Sequence, residues 1–372
     1  MREELLDRCR RLPPACFAPV MATGIVSRAV AQAGAHNVSR VLFAIAVASY
    51  LVLLTGTALK ARYHRATLRA ELRDPAWLFG HFTLVAASGV LATRLGAGPL
   101  RYAAHVLLFL AALVWLLLAR AVGRSVVRAA PGAEERAIAG SGTGVGQETP
   151  GPRAVVRRAD GSWFLATVGL QALGLALTGP HPDHAVLALA LVLWSAGSLL
   201  YAATLALVVR RLRHQPPPAA ELTPAYWVTM GAAAISTLAG ARLLAHGDLL
   251  PGAARAFLAV AVLALWAWAT LLIPLLLAAG IWRHLRHRIP LTYEPALWTI
   301  VFPLGMYATA TTEITAVEGG KAFPLSPHPL AWLALTAWTA VTARCLGNRL
   351  PAQGRRVDDP DPRTGGNLLS RE

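Results

Sequence analysis

Trp298-Thr299-Ile300-Val301-Phe302-Pro303-Leu304-Gly305-Met306-Tyr307-Ala308-Thr309 is an uncharged run with a proline at its centre. A proline at that depth lacks an N–H and crowds the preceding turn, so the sequence predicts a break in the helical ladder at Pro303. Lipid cannot satisfy the freed backbone groups, so such a break must face protein or a water-filled path. Phe302, directly before it, supplies a ring large enough to close a narrow apolar conduit. The plainer alternative is a proline-kinked membrane helix with Phe302 packed in its core.

The chain has 372 residues, of which 55% are hydrophobic and only 15% charged, with a positive mean hydropathy. That balance excludes an ordinary soluble enzyme and points to a polytopic membrane protein whose first partner is the lipid bilayer. The formal net charge is +16, but the basic residues lie in short clusters between apolar runs. They form no stripe on a polar domain, so no nucleic acid partner is expected. Cys9, Cys16 and Cys345 are too few and too scattered for a disulfide framework or a zinc site. The opening MREELLDRCRRLPP is charged and lacks the apolar core of a signal peptide.

Ten apolar stretches follow, at 16–33, 41–59, 77–95, 102–119, 162–178, 185–208, 225–243, 254–280, 295–316 and 329–346. Most reach the ~20 residues that cross a bilayer, the first and fifth being short. Ten crossings put both termini on one side. Of the 35 Lys and Arg, only Arg28, Arg40, Arg94, Arg101, Arg242, Arg255 and Lys321 fall on the other side, leaving 28 with the termini. By the positive-inside rule both termini are cytoplasmic. The expected organisation is a cytoplasmic N-tail (1–15), a ten-span domain (16–346) and a disordered cytoplasmic C-tail (347–372). Within the domain, residues 120–161, which include AGSGTGVGQETPGPR, read as a flexible cytoplasmic linker. The glycines there match no phosphate-binding loop.

Odd and even spans differ in kind. The odd ones carry Pro19 and Gly24, Gly89, Gly169 and Gly174, Gly231 and Gly240, and Pro303 and Gly305. The fourth and tenth have no interior Gly or Pro, although Gly56, Gly197, Pro274 and Gly280 blur the contrast in the other even spans. A period of two helices predicts an all-α integral membrane protein of ten helices arranged as five hairpins. Each hairpin has a distorted inner helix and a smoother outer one, and interrupted repeats of this kind point to a transport path.

Phe17-Ala18-Pro19-Val20-Met21-Ala22-Thr23-Gly24-Ile25-Val26-Ser27, together with Trp298 to Thr309, resembles the tellurite-resistance/dicarboxylate transporter family. That family includes bacterial tellurite-resistance proteins, fungal malate and sulfite transporters and plant guard-cell slow anion channels. The resemblance implies five hairpins around a central pore within each protomer, often in a homotrimer. It also implies that a phenylalanine on the ninth span occludes the pore; the matching residue is Phe302, beside Pro303. The 120–161 linker departs from the family pattern, so cytoplasmic regulation does not carry over.

If the odd spans line the pore, its candidate lining includes Pro19, Thr23, Gly24, Ser27, Thr83, Ser88, Gly89, Thr167, Gly231, Ser236, Gly305 and Thr309. Hydroxyls suit a partly dehydrated anion, but helical Ser and Thr also bond their own backbone carbonyls. Arg28, Arg94 and Arg242 lie near the outer ends of odd spans and form a candidate anion funnel; snorkelling to the headgroups is the alternative. Glu313 is placed to pair with one of these arginines. His181-Pro182-Asp183-His184 reads as an exposed turn, not a metal site. Neither a catalytic motif nor a cofactor is indicated. The function expected is transport of small inorganic or dicarboxylate anions across the plasma (inner) membrane. A proton-coupled C4-dicarboxylate carrier is the runner-up, with Glu313 and His81 as its titratable candidates, and a polytopic membrane enzyme is the competing class.

Overall fold

The computed structural model describes residues 2–96, 98–128, 159–180, 182–290, 292–317 and 327–348, which form helices and connecting turns with no strand among them. The helices are α1 (Arg2–Arg10), α2 (Ala18–Gln32), α3 (His36–Tyr63), α4 (Arg65–Glu71), α5 (Pro75–Leu78), α6 (Phe82–Leu95) and α7 (Arg101–Arg128). They continue as α8 (Phe164–Leu177), α9 (His184–His214), α10 (Trp227–Leu244), α11 (Gly252–Ile281), α12 (Trp298–Val317) and α13 (Pro327–Gly347). Eight helical stretches are long and apolar enough to cross a membrane. They run through α3, α6, α7, α9, α10, α11, α12 and α13. The other two expected spans coincide with shorter helices: α2, of 15 residues, and the stretch Gly161–Leu177 through α8.

Five helices pack on one another in a closed cycle: α2 on α6, α6 on α8, α8 on α10, α10 on α12, and α12 back on α2. Each also packs against the helix that follows it in the chain, so that α3, α7, α9, α11 and α13 lie outside the cycle. Burial follows this arrangement. Inside the protein lie 94% of the apolar stretch through α10 and 11% of that through α7.

Local sequence explains the inner helices. Four of them start from a single 3-10 turn: Phe79–His81, Gly161–Trp163, Pro224–Tyr226 and Pro295–Leu297. Pro224 and Pro295 open such turns, and Pro19 sits in the first turn of α2. There the missing N–H has no intrahelical partner to lose. Pro19 therefore initiates α2 and does not interrupt it. Pro303 is a correction. The helix α12 runs unbroken from Trp298 to Val317 with Pro303 inside it, so the proline removes one rung without ending the helix.

Glycine sets the spacing of the cycle. A Cβ built at Gly24 would lie 2.8 Å from Val90, at Gly89 2.7 Å from Ala172, and at Gly231 2.9 Å from Pro303. At Gly305 it would lie 3.0 Å from Ile25, and at Gly161 2.2 Å from the Ala225 carbonyl oxygen. Four of the five neighbouring pairs thus have a glycine at their helix contact, and the fifth, α8 with α10, has Gly161 between their entry turns, which lets the elements approach closely.

Several boundaries differ from expectation. The helix α7 continues to Arg128, past the predicted start of the linker at 120. Part of the predicted N-tail is helical, because α1 packs along α3. The rest of the predicted linker, 129–158, and the tail from 349 onward lie outside the described residues.

Candidate functional site

Phe302 is fully buried. Its ring packs on Gly231 of α10, where an added Cβ would meet Phe302 Cε1 at 3.2 Å and Cδ1 at 3.3 Å. Four residues beyond the entry aromatic of each inner helix (Phe17, Phe82, Phe164, Trp227 and Trp298) come Met21, Ala86, Val168, Gly231 and Phe302. All five are buried. One large ring therefore shares its register position with small or flexible partners on the other four helices. Below it, Thr299 Oγ1 donates to the Pro224 carbonyl at 2.8 Å, tying α12 to the entry turn of α10.

The candidate hydroxyls separate into four groups. Thr83, Ser236 and Thr309 donate to the carbonyls of Gly80, Ala232 and Gly305 on their own turns. Thr23 and Ser88 do likewise and are also engaged by outer helices. Thr23 Oγ1 accepts from Trp338 Nε1 of α13 at 2.9 Å, and Ser88 meets the Tyr50 hydroxyl of α3 at 2.8 Å. Those contacts join inner to outer helices. Ser27 donates to the Gly24 carbonyl and accepts from Arg94. Thr167 stands apart: it is fully buried, and its hydroxyl has no partner among the described residues. An unpaired buried hydroxyl calls for an explanation.

At the far ends of α2, α10 and α12 the charges converge. Glu313 Oε1 lies 3.0 Å from Arg28 Nη2 and 3.2 Å from Arg242 Nη2, and it accepts from Gln32 Nε2 at 3.0 Å. Arg94 donates to Ser27 and Ser39 at 3.1 and 2.9 Å, with its guanidinium over the Phe43 ring. Two guanidinium groups thus meet one carboxylate, and a third, that of Arg94, is held by Ser27 on the same end of α2. Glu313 pairs with two arginines where the sequence suggested one. Arg94 is held by hydroxyls and a ring, an arrangement with no helical-spacing signal.

A second polar cluster was not legible beforehand, apart from His81. Lys60 Nζ donates to the Leu12 carbonyl at 2.7 Å and to Glu71 Oε1 at 2.6 Å. His81 Nε2 lies 3.5 Å from Glu71 Oε2, and neither atom has a hydrogen-bond partner among the described residues. Its members come from α3, α4 and the entry turn of α6, too far apart in sequence to suggest a group. The Trp194 indole likewise crosses from α9 to the Ser236 carbonyl at 2.8 Å. Asp183, in the turn that held two histidines, caps α9 by accepting from the Val186 N–H at 2.8 Å; His181 lies outside the described residues.

Residues 11–346 match the family model described as voltage-dependent anion channel. The chain belongs to that family. The match covers all of the inner helices and nearly all of the outer ones, and it agrees with the resemblance carried by Phe17–Ser27 and Trp298–Thr309. Two relatives from strains of Mycobacterium tuberculosis, each an uncharacterized membrane protein, are 40% identical over 157 residues. Those residues are 42% of this chain and 80% of each relative. An uncharacterized transporter of Methanocaldococcus jannaschii is 25% identical over 194 residues, half of this chain and 54% of that protein. The chain is accordingly a multi-pass membrane protein of an anion-channel and transporter family.

Proposed function

We propose that this chain conducts small anions through a pore enclosed by α2, α6, α8, α10 and α12, with Phe302 as its occluding gate. The observation that carries the reading is the closed cycle of five glycine-spaced helices with one fully buried phenylalanine set against Gly231. Its ten helices cross the membrane as five hairpins, with both termini cytoplasmic as the arginine distribution indicates. Cysteine labelling should find positions 145 and 365 on the cytoplasmic side and 320 on the opposite side; external labelling at 145 would overturn that orientation.

The Arg28–Arg242–Glu313 group with Arg94 supplies a surplus of positive charge at the external mouth, which attracts anions without holding them tightly. Along the pore, Thr167 offers a hydroxyl that is otherwise unengaged. The substrate class is small anions that shed water readily, among them chloride, nitrate, sulfite, tellurite-type oxyanions and C4-dicarboxylates. Three protomers, each with its own pore, form the assembly that the family resemblance implies, in the plasma (inner) membrane. The second reading, a proton-coupled C4-dicarboxylate carrier, is favoured by one observation, the juxtaposed Glu71 and His81 beside the start of α6.

Reconstitution of the purified chain into liposomes tests both readings. The channel reading expects anion flux down its own gradient without a pH gradient. Flux that requires an imposed proton gradient would favour the carrier, and no flux under either condition would refute transport.

A further inference from the structure

At the entry ends of α10 and α12, opposite the Arg28–Arg242–Glu313 group, α11 does not finish as an α-helix. It closes in a π-turn, Trp282–Arg286, and the chain then reverses through Arg288, whose φ is 50°. Both features are uncommon and recur at functional sites. Here they wall off a cavity of about 220 Å³ between α10, α11 and α12. Leu276, Gly280, Leu297 and Ile300 give it an apolar side, while Tyr226, Arg283, His284 and Glu294 give it a polar one.

Two of the polar residues are under-used. Arg283 and Tyr226 are each only 8% exposed, yet Arg283 Nε and the Tyr226 hydroxyl have no hydrogen-bond partner among the described residues. Glu294 lies 3.6 Å from Arg283 Nη1, beyond hydrogen-bond length, and its side chain is more than a third exposed, while Asp160 and Glu221 lie near Tyr226 together with Arg211. Buried donors without acceptors are costly, and a guanidinium and a hydroxyl that line one cavity are both suited to a phosphate. On its outer side the cavity opens along α11, where Leu271, Leu275 and Leu277 are exposed. Leu275 also lines the cavity, so the apolar wall runs on from the polar end to the lipid-facing surface. Arg286 and Arg288 on the same turn are exposed and outweigh Glu294 in charge.

We infer that this cavity binds the headgroup of an anionic phospholipid from the adjoining leaflet. Its phosphate meets Arg283 and Tyr226, and its chains run along α11. Basic pockets between membrane helices at the cytoplasmic interface are suited to such headgroups. The occupant lies beneath Phe302, since Leu297 ends the entry turn of α12, Ile300 lies in that helix's first turn, and Tyr226 ends the entry turn of α10 below Gly231. It therefore bears on the joint between those two helices. This site stands independently of the conduction reading, because binding can be measured without flux.

The test is thermal unfolding of the purified full-length chain in mild detergent, titrated with phosphatidylglycerol, phosphatidylethanolamine or glycerol phosphate. Phosphatidylglycerol should stabilise the wild type at lower concentration than phosphatidylethanolamine, and glycerol phosphate should not stabilise it. Arg283→Gln should raise the half-maximal phosphatidylglycerol concentration about tenfold or more, the effect of losing a charge-assisted hydrogen bond. Gly280→Leu fills the cavity without removing charge, and a Cβ there meets no atom within 4 Å. It should abolish the shift while leaving lipid-free stability at or above wild type, so it decides the matter even if Arg283→Gln does not fold. Phosphatidylglycerol stabilisation undiminished in Gly280→Leu, or equal stabilisation by phosphatidylethanolamine, would overturn the assignment. Equal stabilisation by glycerol phosphate would assign the cavity to a soluble organophosphate instead.

Discussion

The stretch through α10 is almost wholly buried, whereas little of the stretch through α7 is buried, yet α7 is the more apolar of the two. Across the spans, α6, α10 and α12 are less apolar than the outer α3, α7, α9 and α11; α13 is the exception among outer helices. In a water-soluble protein the order would be reversed. Here the solvent is hydrocarbon, so exposure demands long aliphatic side chains such as Leu113, Leu116 and Leu117 of α7. The interior instead demands small residues that let backbones close, and hydroxyls that bond locally. Burial in this molecule therefore marks packing and function, and hydropathy marks contact with lipid.

The contrast depends most strongly on glycine. Gly89→Val would push a Cβ to 2.7 Å from Ala172 Cβ and 2.9 Å from its carbonyl oxygen, which only a separation of α6 from α8 relieves. Its cost should reach the upper end of the ~1–3 kcal/mol typical of overpacking, or exceed it. Gly123→Val, on α7 where nothing lies within 4 Å, should stay within about 0.5 kcal/mol of wild type. Melting curves in detergent compare the pair; equal effects would erase the distinction between inner and outer helices.

A somewhat smaller effect is expected at the charged end. Glu313→Gln strands Arg28, whose side chain is only 11% exposed, and Arg242, which is 32% exposed. Removing one partner of a fully buried pair costs ~3–5 kcal/mol, and partial exposure reduces this to about 2–3 kcal/mol. High chloride should restore part of the lost melting temperature by replacing the carboxylate. The absence of any anion rescue would mean that the arginines are not an anion-accepting group. Arg94→Gln and Arg242→Gln should lower anion flux several-fold near 10 mM salt, where the Debye length is ~30 Å, and little near 1 M, where it is ~3 Å. An equal loss at both salt concentrations would place their role in folding alone.

How much was legible follows from the same contrast. The lipid-facing helices announce themselves by length and apolarity, and it is their ends that differ from expectation, as where α7 runs on to Arg128. Inner helices were recognisable by Gly24, Gly89, Gly231 and Gly305, but the use of those glycines was not. They read as pore lining, whereas their Cα atoms sit at helix contacts whose partners lie tens to hundreds of residues away. Pro303 misled because its position looks mid-span, while structurally it follows an entry turn closely and the helix carries through it. The Glu313 and Lys60–Glu71–His81 groups join residues from separate helices, and no local spacing encodes such meetings.

Phe302 against Phe109 is the most direct test of a gated interior path. Phe302 is fully buried against Gly231, whereas Phe109 on α7 is 70% exposed. In a packed core, Phe→Ala costs ~3–5 kcal/mol and lowers yield and flux together. Anion flux into liposomes, normalised to folded protein, should rise well above wild type for Phe302→Ala and stay at wild type for Phe109→Ala. Flux at or below wild type for Phe302→Ala, with folded protein intact, would contradict the gate.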